Sequence, residues 1–385
     1  MSLLYLGASP ELPSSRNRSP GLSLIKKPRD AMKSLSSVVV SLFFWANTTT
    51  ACTGFAGLHD HFLPINGTLA VENQIPLNAA GYGVSDFGHG AYMVTDGAYQ
   101  TLVLVSTTGV VVVDAPPTTG HKLQWAIGNL TTTPVRWFIY SHSHSDHAGG
   151  AYLFANQSHP KVTTISHENT ASQLATARDP HRPVPQVTFK DRYTLVAGNQ
   201  TLELFFPGIG HDLGNIIIFA PKQKVLMMVD QIYAGWVPFW NLAASVYVPG
   251  WIQAHDQLLA YDFDVYLGGH MGGPANRTAV KVQREYVHDL YDNCAEALIK
   301  SGNPENPTVD IAAISKEVLT NNPYNIWAQF AVYLDAVADL CYNKTSDKWL
   351  GKLAAQDIFG FSHARTMVSS LRLDYDILGP NDVQP

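Results

Sequence analysis

One stretch limits what this chain can become more than any other: Ser141-His142-Ser143-His144-Ser145-Asp146-His147-Ala148-Gly149-Gly150. It follows the apolar run Trp137-Phe138-Ile139-Tyr140 and runs into a glycine-rich helix start, so it reads as a loop between a strand and a helix. On an extended turn, alternation sends His142 and His144 the same way, while Asp146 and His147 face a second position. One short segment then offers ligands to two adjacent metal ions. The chain has 15 His but only 3 Cys, none of them in a Cys-x-x-Cys pair, so thiolate metal and redox motifs are absent.

Around this loop the chain alternates strands and helices. Residues 99–106 and 109–114 are apolar, β-branched runs joined by Thr107-Thr108, which predicts a hairpin. A helix over 119–130, strands over 135–141 and 161–166, and a helix over 167–177 follow. Strands return over 186–189, 201–206, 215–220 and 224–229. Strand blocks flanked twice by helices fit two packed sheets with helices outside. Beyond Gly273 the pattern turns helical, over 280–300, 309–320, 323–342 and 348–358, with Pro304 and Pro307 as stops.

The decapeptide resembles the signature of the metallo-β-lactamase superfamily, and the other family positions are filled in order. Val111-Val112-Val113-Asp114 supplies the expected strand-ending aspartate, and Gly208-Ile209-Gly210-His211-Asp212-Leu213-Gly214-Asn215 the third histidine of the first metal. Leu226-Met227-Met228-Val229-Asp230 supplies the bridging carboxylate, and Tyr266-Leu267-Gly268-Gly269-His270 the last histidine. The resemblance implies an α/β fold, a four-layer αββα sandwich with a C-terminal helical extension. It implies domains at 1–51 (extension and signal peptide), 52–84 (a segment packing on the core), 85–275 (metal-binding domain) and 276–385 (helical region). Its ligand set is His142, His144, Asp146, His147, His211, Asp230 and His270, with Asp114 accepting an imidazole N–H from a ligand histidine.

Departures narrow the chemistry. Lactamase-type members usually carry Cys or Ser where this chain has Asp230, whereas glyoxalase II-like thioester hydrolases and many lactonases carry Asp. Flavodiiron reductases use Glu where His144 stands, while mononuclear-iron persulfide dioxygenases share the His-x-His-x-Asp-His set. Imidazole and carboxylate ligands suit two Zn²⁺ and admit Mn²⁺ or Fe²⁺. Two dications bridged by Asp230 would hold a hydroxide, lower its pKa and polarise a carbonyl, with Asp146 taking the proton. The implied function is hydrolysis of an ester, lactone or amide; β-lactam cleavage and persulfide oxidation are the alternatives. Tyr233, Trp236, Phe239 and Trp240, just beyond Asp230, are candidates to line a pocket for an apolar or aromatic acyl compound. A packing loop is the competing reading of that stretch.

Charge and the N-terminus bear on partners and compartment. With 25 Lys+Arg against 31 Asp+Glu, the net charge is −6, which argues against nucleic acid and the superfamily's nuclease branches. Lys33 leads an apolar stretch over 38–46 followed by Thr49-Thr50-Ala51, as in a cleaved secretory signal, with no lasting membrane association. Acceptor triplets at Asn66, Asn129, Asn156, Asn199, Asn276 and Asn343 fit a secreted glycoprotein. In an oxidising compartment Cys294 and Cys341 could pair; otherwise they are small buried hydrophobes.

Overall fold

The computed structural model describes residues 62–63, 65, 70, 74–156 and 161–381. The expected signal peptide and the triplet at Asn66 lie outside them. A seven-stranded sheet runs in chain order through β1 (Gly83–Asp86), β2 (Ala91–Thr95), β3 (Gln100–Val105), β4 (Val110–Val113), β5 (Val135–Ile139), β6 (Thr163–His167) and β7 (Val187–Phe189). The first four strands pair antiparallel and β4 to β7 pair parallel. The parallel part is made possible by helical crossovers, α1 (His121–Leu130) between β4 and β5 and α4 (Glu168–Ala177) between β6 and β7. The short helices α2 (Ser145–Ala148) and α3 (Tyr152–Ala155) follow β5.

A five-stranded sheet contains β8 (Arg192–Ala197), β9 (Gln200–Phe205), β10 (Ile217–Ala220), β11 (Val225–Met227) and β12 (Val265–Leu267), in the order β12-β11-β10-β9-β8. Inward side chains of both sheets, among them Met93, Leu104, Val113 and Ile139 from one and Leu204, Ile218, Met227 and Leu267 from the other, make one buried cluster. The outer face of the first sheet packs Val103, Val112 and Phe138 against Leu123, Ala126 and Leu174 of the helices. The outer face of the second packs Phe219, Leu226 and Tyr266 against Ala254 and Leu258 of α6 (Val248–Leu259). Helix, sheet, sheet and helix are therefore stacked as four layers, the expected αββα sandwich.

The helical extension comprises α7 (Arg277–Lys300), α8 (Ile311–Asn321), α9 (Ile326–Trp349) and α10 (Gln356–Asp374). Its core joins Tyr286, Leu290, Tyr333, Val337, Met367 and Leu371 to Leu242 of α5 (Trp240–Ala244) and to Trp251 of α6. Cys294 and Cys341 are bonded (S–S 1.99 Å), linking α7 to α9. Three details differ from the sequence reading. Strands β1, β2 and β8 were not anticipated, because β1 and β2 span only four and five residues and the edge strand β8 opens on polar and charged side chains, as in Arg192-Tyr193-Thr194-Leu195. The helix expected over 323–342 continues to Trp349. The one expected over 348–358 is broken, since Gly351 (φ 79°) and Ala355 (φ 65°) are left-handed, and helix resumes at Gln356 and continues to Asp374.

Candidate metal centre

The ligand loop leaves the C-terminal end of β5, and the other candidate ligands leave strand ends at the same edge, where ligands of parallel strands gather. His211 lies between β9 and β10, Asp230 follows β11, and His270 follows β12. Asp114 and Asp230 adopt left-handed backbone, φ 63° and 61°, which aspartate tolerates better than most residues. Gly268 and Gly269 have no substitute here. A Cβ on Gly268 would lie 2.1 Å from the Ile232 carbonyl oxygen, and one on Gly269 (φ 87°) would lie 2.5 Å from Val229 Cγ1. The chain therefore passes close enough to β11 for the Asp230 N–H to donate to the Gly268 carbonyl (3.0 Å).

Two groups of donor atoms result, His142, His144, His211 and Asp230 in one, and Asp146, His147 and His270 in the other, with ligand atoms of each within 4.8 Å of one another. Asp230 reaches both groups. Its Oδ2 lies 3.0 Å from His211 Nε2 and its Oδ1 lies 2.8 Å from His270 Nε2. His147 Nε2 lies 3.4 Å from Asp146 Oδ2 and 3.0 Å from His270 Nε2. His142, His147, His211 and Asp230 are buried, while Asp146 and His144 are partly open.

Electrostatics follow from this crowding. Burial would raise the Asp230 carboxyl, but His147 and His211 outweigh it and hold it well below the usual range. Burial and the neighbouring imidazoles hold His142 neutral, far below its ordinary pKa. His147 goes the other way: burial lowers it, yet Asp230, Asp146 and Asp114 carry it to about 9. Burial, together with Asp146 and Asp230, pushes the Tyr99 phenol up to about 12.

Orientation is set by a surrounding layer. His211 Nδ1 lies 2.6 Å from the Ala243 carbonyl, which can only accept, so this nitrogen carries the proton and Nε2 faces the cluster. Asn241, Leu242 and Ala243 make a left-handed turn (φ 53°, 54° and 59°) that aims this carbonyl inward. His142 Nδ1 is engaged by Ser141 Oγ at 2.9 Å, and its Nε2 is buried without a hydrogen-bond partner. A buried unpartnered nitrogen facing carboxylates and other imidazoles is the donor arrangement a divalent ion satisfies. Tyr233 donates its O–H to Asp230 Oδ1 (2.9 Å).

Two sequence expectations need correction. Asp114 does not accept an imidazole N–H; its Oδ1 accepts the Ser141 backbone N–H (2.9 Å), while its Oδ2 and His147 Nδ1 are buried without hydrogen-bond partners. The left-handed backbone at Asp114 turns its carboxyl toward the chain entering the ligand loop. Full burial raises that carboxyl to about 6, against the opposing pull of His147. Trp240 does not line the pocket either. It opens α5 beyond Phe239 and is 55% exposed.

Tyr233, Trp236 and Phe239 do line a cavity of about 360 Å³ beside Asp146 and His270, joined by Tyr99, Ile358 and Phe359. Sequence reasoning missed Tyr99, Gln100 and Asp212. Tyr99 Oη lies 3.4 Å from Asp146 Oδ2, with its ring 4.8 Å from that of His270. Gln100 clamps the last ligand loop. Its Nε2 donates to the carbonyls of His270, Met271 and Gly273, and its Oε1 accepts from Gly268 and Gly269. Neither carries a local signal, because a bridge between Tyr99 and His270, far apart in sequence, places both. Asp212 had one, its position beside His211. Its Oδ2 accepts from Gln173 (2.7 Å) and Ser143 (3.1 Å) and lies 3.7 Å from His144 Nε2.

Comparison with known proteins agrees with this geometry. The family model described as "Metallo-beta-lactamase superfamily" matches residues 94–270. A 2,4-dinitroanisole O-demethylase subunit alpha from Nocardioides sp. (strain JS1661) is 30% identical over 184 residues, 46% of this chain and 54% of the relative. A metallo-beta-lactamase type 2 from Elizabethkingia meningoseptica is 30% identical over 159 residues, 41% of this chain and 61% of the relative. The chain thus spans between half and two thirds of the curated relatives it matches. A solved metallo-beta-lactamase from Pontibacter korlensis is 24% identical, with a TM-score of 0.46, covering 53% of this chain and 97% of that one. Superfamily relatives of this kind are metal-dependent enzymes, generally hydrolases. With the matched segment running from β2 to His270, and so through the whole candidate ligand series from Asp114 onward, residues 94–270 form a domain of the metallo-beta-lactamase superfamily.

Proposed function

We propose that this protein is a metal-dependent hydrolase, loaded with two divalent ions, most suitably zinc, that cleaves an ester, lactone or amide of a small apolar or aromatic acyl compound. The observation that carries this reading is the pair of donor groups that Asp230 approaches on both sides, with Asp146 and His270 of the second group lining an aromatic cavity. His142, His144 and His211 would hold one ion, Asp146, His147 and His270 the other, and Asp230 would serve both. Bound there, divalent ions supply a Lewis acid and a water acidified toward neutrality. Manganese and iron are compatible with the same donors.

The chain's own residues would do the rest. Asp146, partly open beside the cavity, takes a proton from the attacking water on Oδ2. The Tyr99 phenol stays protonated at neutral pH, so its O–H, 3.4 Å from Asp146 Oδ2, acts as a donor toward that carboxylate. Trp236, Phe239, Ile358 and Phe359 exclude water and bind the apolar part of the substrate. The carboxylate at Asp230, where lactamase-type members carry Cys or Ser, supports ester or lactone chemistry over β-lactam cleavage. The Cys294–Cys341 bond supports an oxidising, secretory location for the protein.

The test is a panel of aryl esters, γ-lactones, anilides, thioesters, a β-lactam and a methyl aryl ether, offered to zinc-loaded protein. The ether belongs there because one relative is named as a 2,4-dinitroanisole O-demethylase subunit. Turnover of esters or lactones without oxygen uptake is expected. Oxygen consumption on a persulfide by an iron-loaded protein that leaves the whole panel untouched would overturn the reading.

A further inference from the structure

Asp146 lines a second opening besides the aromatic cavity. A groove of about 500 Å³ has Ser145 and Asp146 in its wall together with Gly150, Tyr152, Asp179 and His181. His181 stands in a loop with Pro183 and Pro185, close enough in sequence to the candidate ligands to reach the site. That loop is tied to the frame of the metal centre at several points. Arg182 donates Nε to Asp179 Oδ2 (2.8 Å) and Nη1 to the carbonyl of Ser143, between two candidate ligands (2.5 Å). The Tyr152 N–H donates to the His181 carbonyl (3.0 Å), and Tyr140 Oη donates to the Pro183 carbonyl (2.6 Å).

His181 is thus a preorganised side chain rather than a loose surface one. Its ring meets that of Tyr152 edge-on at 5.0 Å, and its Nδ1 lies 3.3 Å from Asp179 Oδ1. With the Asp179 carboxylate against Nδ1, Nε2 is the ring nitrogen left to meet a ligand. The side chain is 61% exposed, so that nitrogen is open to a ligand. An aromatic pair with one open ring nitrogen suits a planar group carrying a hydroxyl.

We infer that the substrate is two-ended. One apolar or aryl end fills the cavity under Phe359, the scissile bond lies over Asp146, and a planar, hydroxyl-bearing end occupies the groove with its O–H donated to His181 Nε2. This inference rests on the hydrolase reading above and extends it to a specificity-determining residue.

The experiment uses three esters with zinc-loaded enzyme: methyl phenylacetate, which has only an aryl end, 4-hydroxyphenyl phenylacetate, and phenyl 4-hydroxyphenylacetate. The last two place the hydroxyl on either side of the scissile bond. His181→Ala should raise KM about tenfold on at least one hydroxylated ester and less than twofold on methyl phenylacetate, with partial recovery in His181→Gln, which keeps an acceptor. Phe359→Ala should raise KM on methyl phenylacetate. A His181→Ala effect equal on all three esters, or absent from all, overturns the two-ended site while the hydrolase reading stands. No turnover of any ester by the unaltered enzyme removes both.

Discussion

At the scale of residues, the centre depends on side chains whose protons are assigned by their neighbours. The Asp212 carboxylate stands beside His144 Nε2, leaving His144 Nδ1 to face His211 Nε2 at 3.0 Å. Asp212→Asn should therefore weaken zinc binding by about 10- to 100-fold in a chelator competition while the fold persists. His147 yields a pH dependence. In the metal-free chain its imidazole titrates at about 9, so below that pH a metal ion must displace a proton from it. Apparent metal affinity should rise as pH increases from 6 to 9 and then level off; a flat profile would contradict the geometry around Asp230. The seven candidate ligands were legible in the sequence because they follow apolar strands in a fixed order. The His211 tautomer was not, because it depends on the Ala243 carbonyl, whose approach only folding determines.

At the scale of elements, two contacts connect the site to structure that local pattern does not reveal. Gln100, at the start of β3, is buried and bonded to both ends of the loop carrying His270. Gln100→Ala would leave buried N–H and carbonyl groups unpaired, costing about 3 kcal/mol, and should lower metal occupancy along with the denaturation midpoint. The helical extension reaches the site through α10. His363 is buried there, with Nδ1 2.7 Å from Tyr286 Oη, and burial lowers its pKa to about 4. The unfolded chain takes up a proton near pH 6.5 and the folded chain only near 4, so this residue removes stability as pH falls through that window. By pH 5 the loss is about 2 kcal/mol, and His363→Gln should lose that much less between pH 7 and 5 in paired chemical denaturations. The hairpin of β3 and β4 was readable from Thr107-Thr108 between β-branched runs. The resumption of helix after Ala355 was not, because a left-handed alanine carries no sequence mark.

At the scale of the whole molecule, the sandwich and the extension form continuous cores that meet at Trp251. That ring is fully buried in the helical core, and its Nε1 donates to the Asp230 carbonyl (3.3 Å). The Cys294–Cys341 bond closes a loop with a sequence separation of 47, for which chain entropy gives about 4 kcal/mol. Replacing both cysteines by alanine should lower the unfolding free energy by roughly 2–4 kcal/mol and shift guanidinium transitions down. Metal occupancy should follow, because Ile358 and Trp251 tie the extension to the site. The sequence left the pairing of these cysteines open, since two helices must first be laid side by side.

The central claim is that these donors bind metal as one centre organised by Asp230. It is tested most directly by elemental analysis of purified protein after zinc loading and gel filtration, for the native chain and for Asp230→Ala. About two zinc ions per native chain are expected, with loss of at least one in a variant whose circular dichroism is unchanged. A folded native chain that retains no zinc, manganese or iron, or an Asp230→Ala variant that holds the full complement, would contradict it.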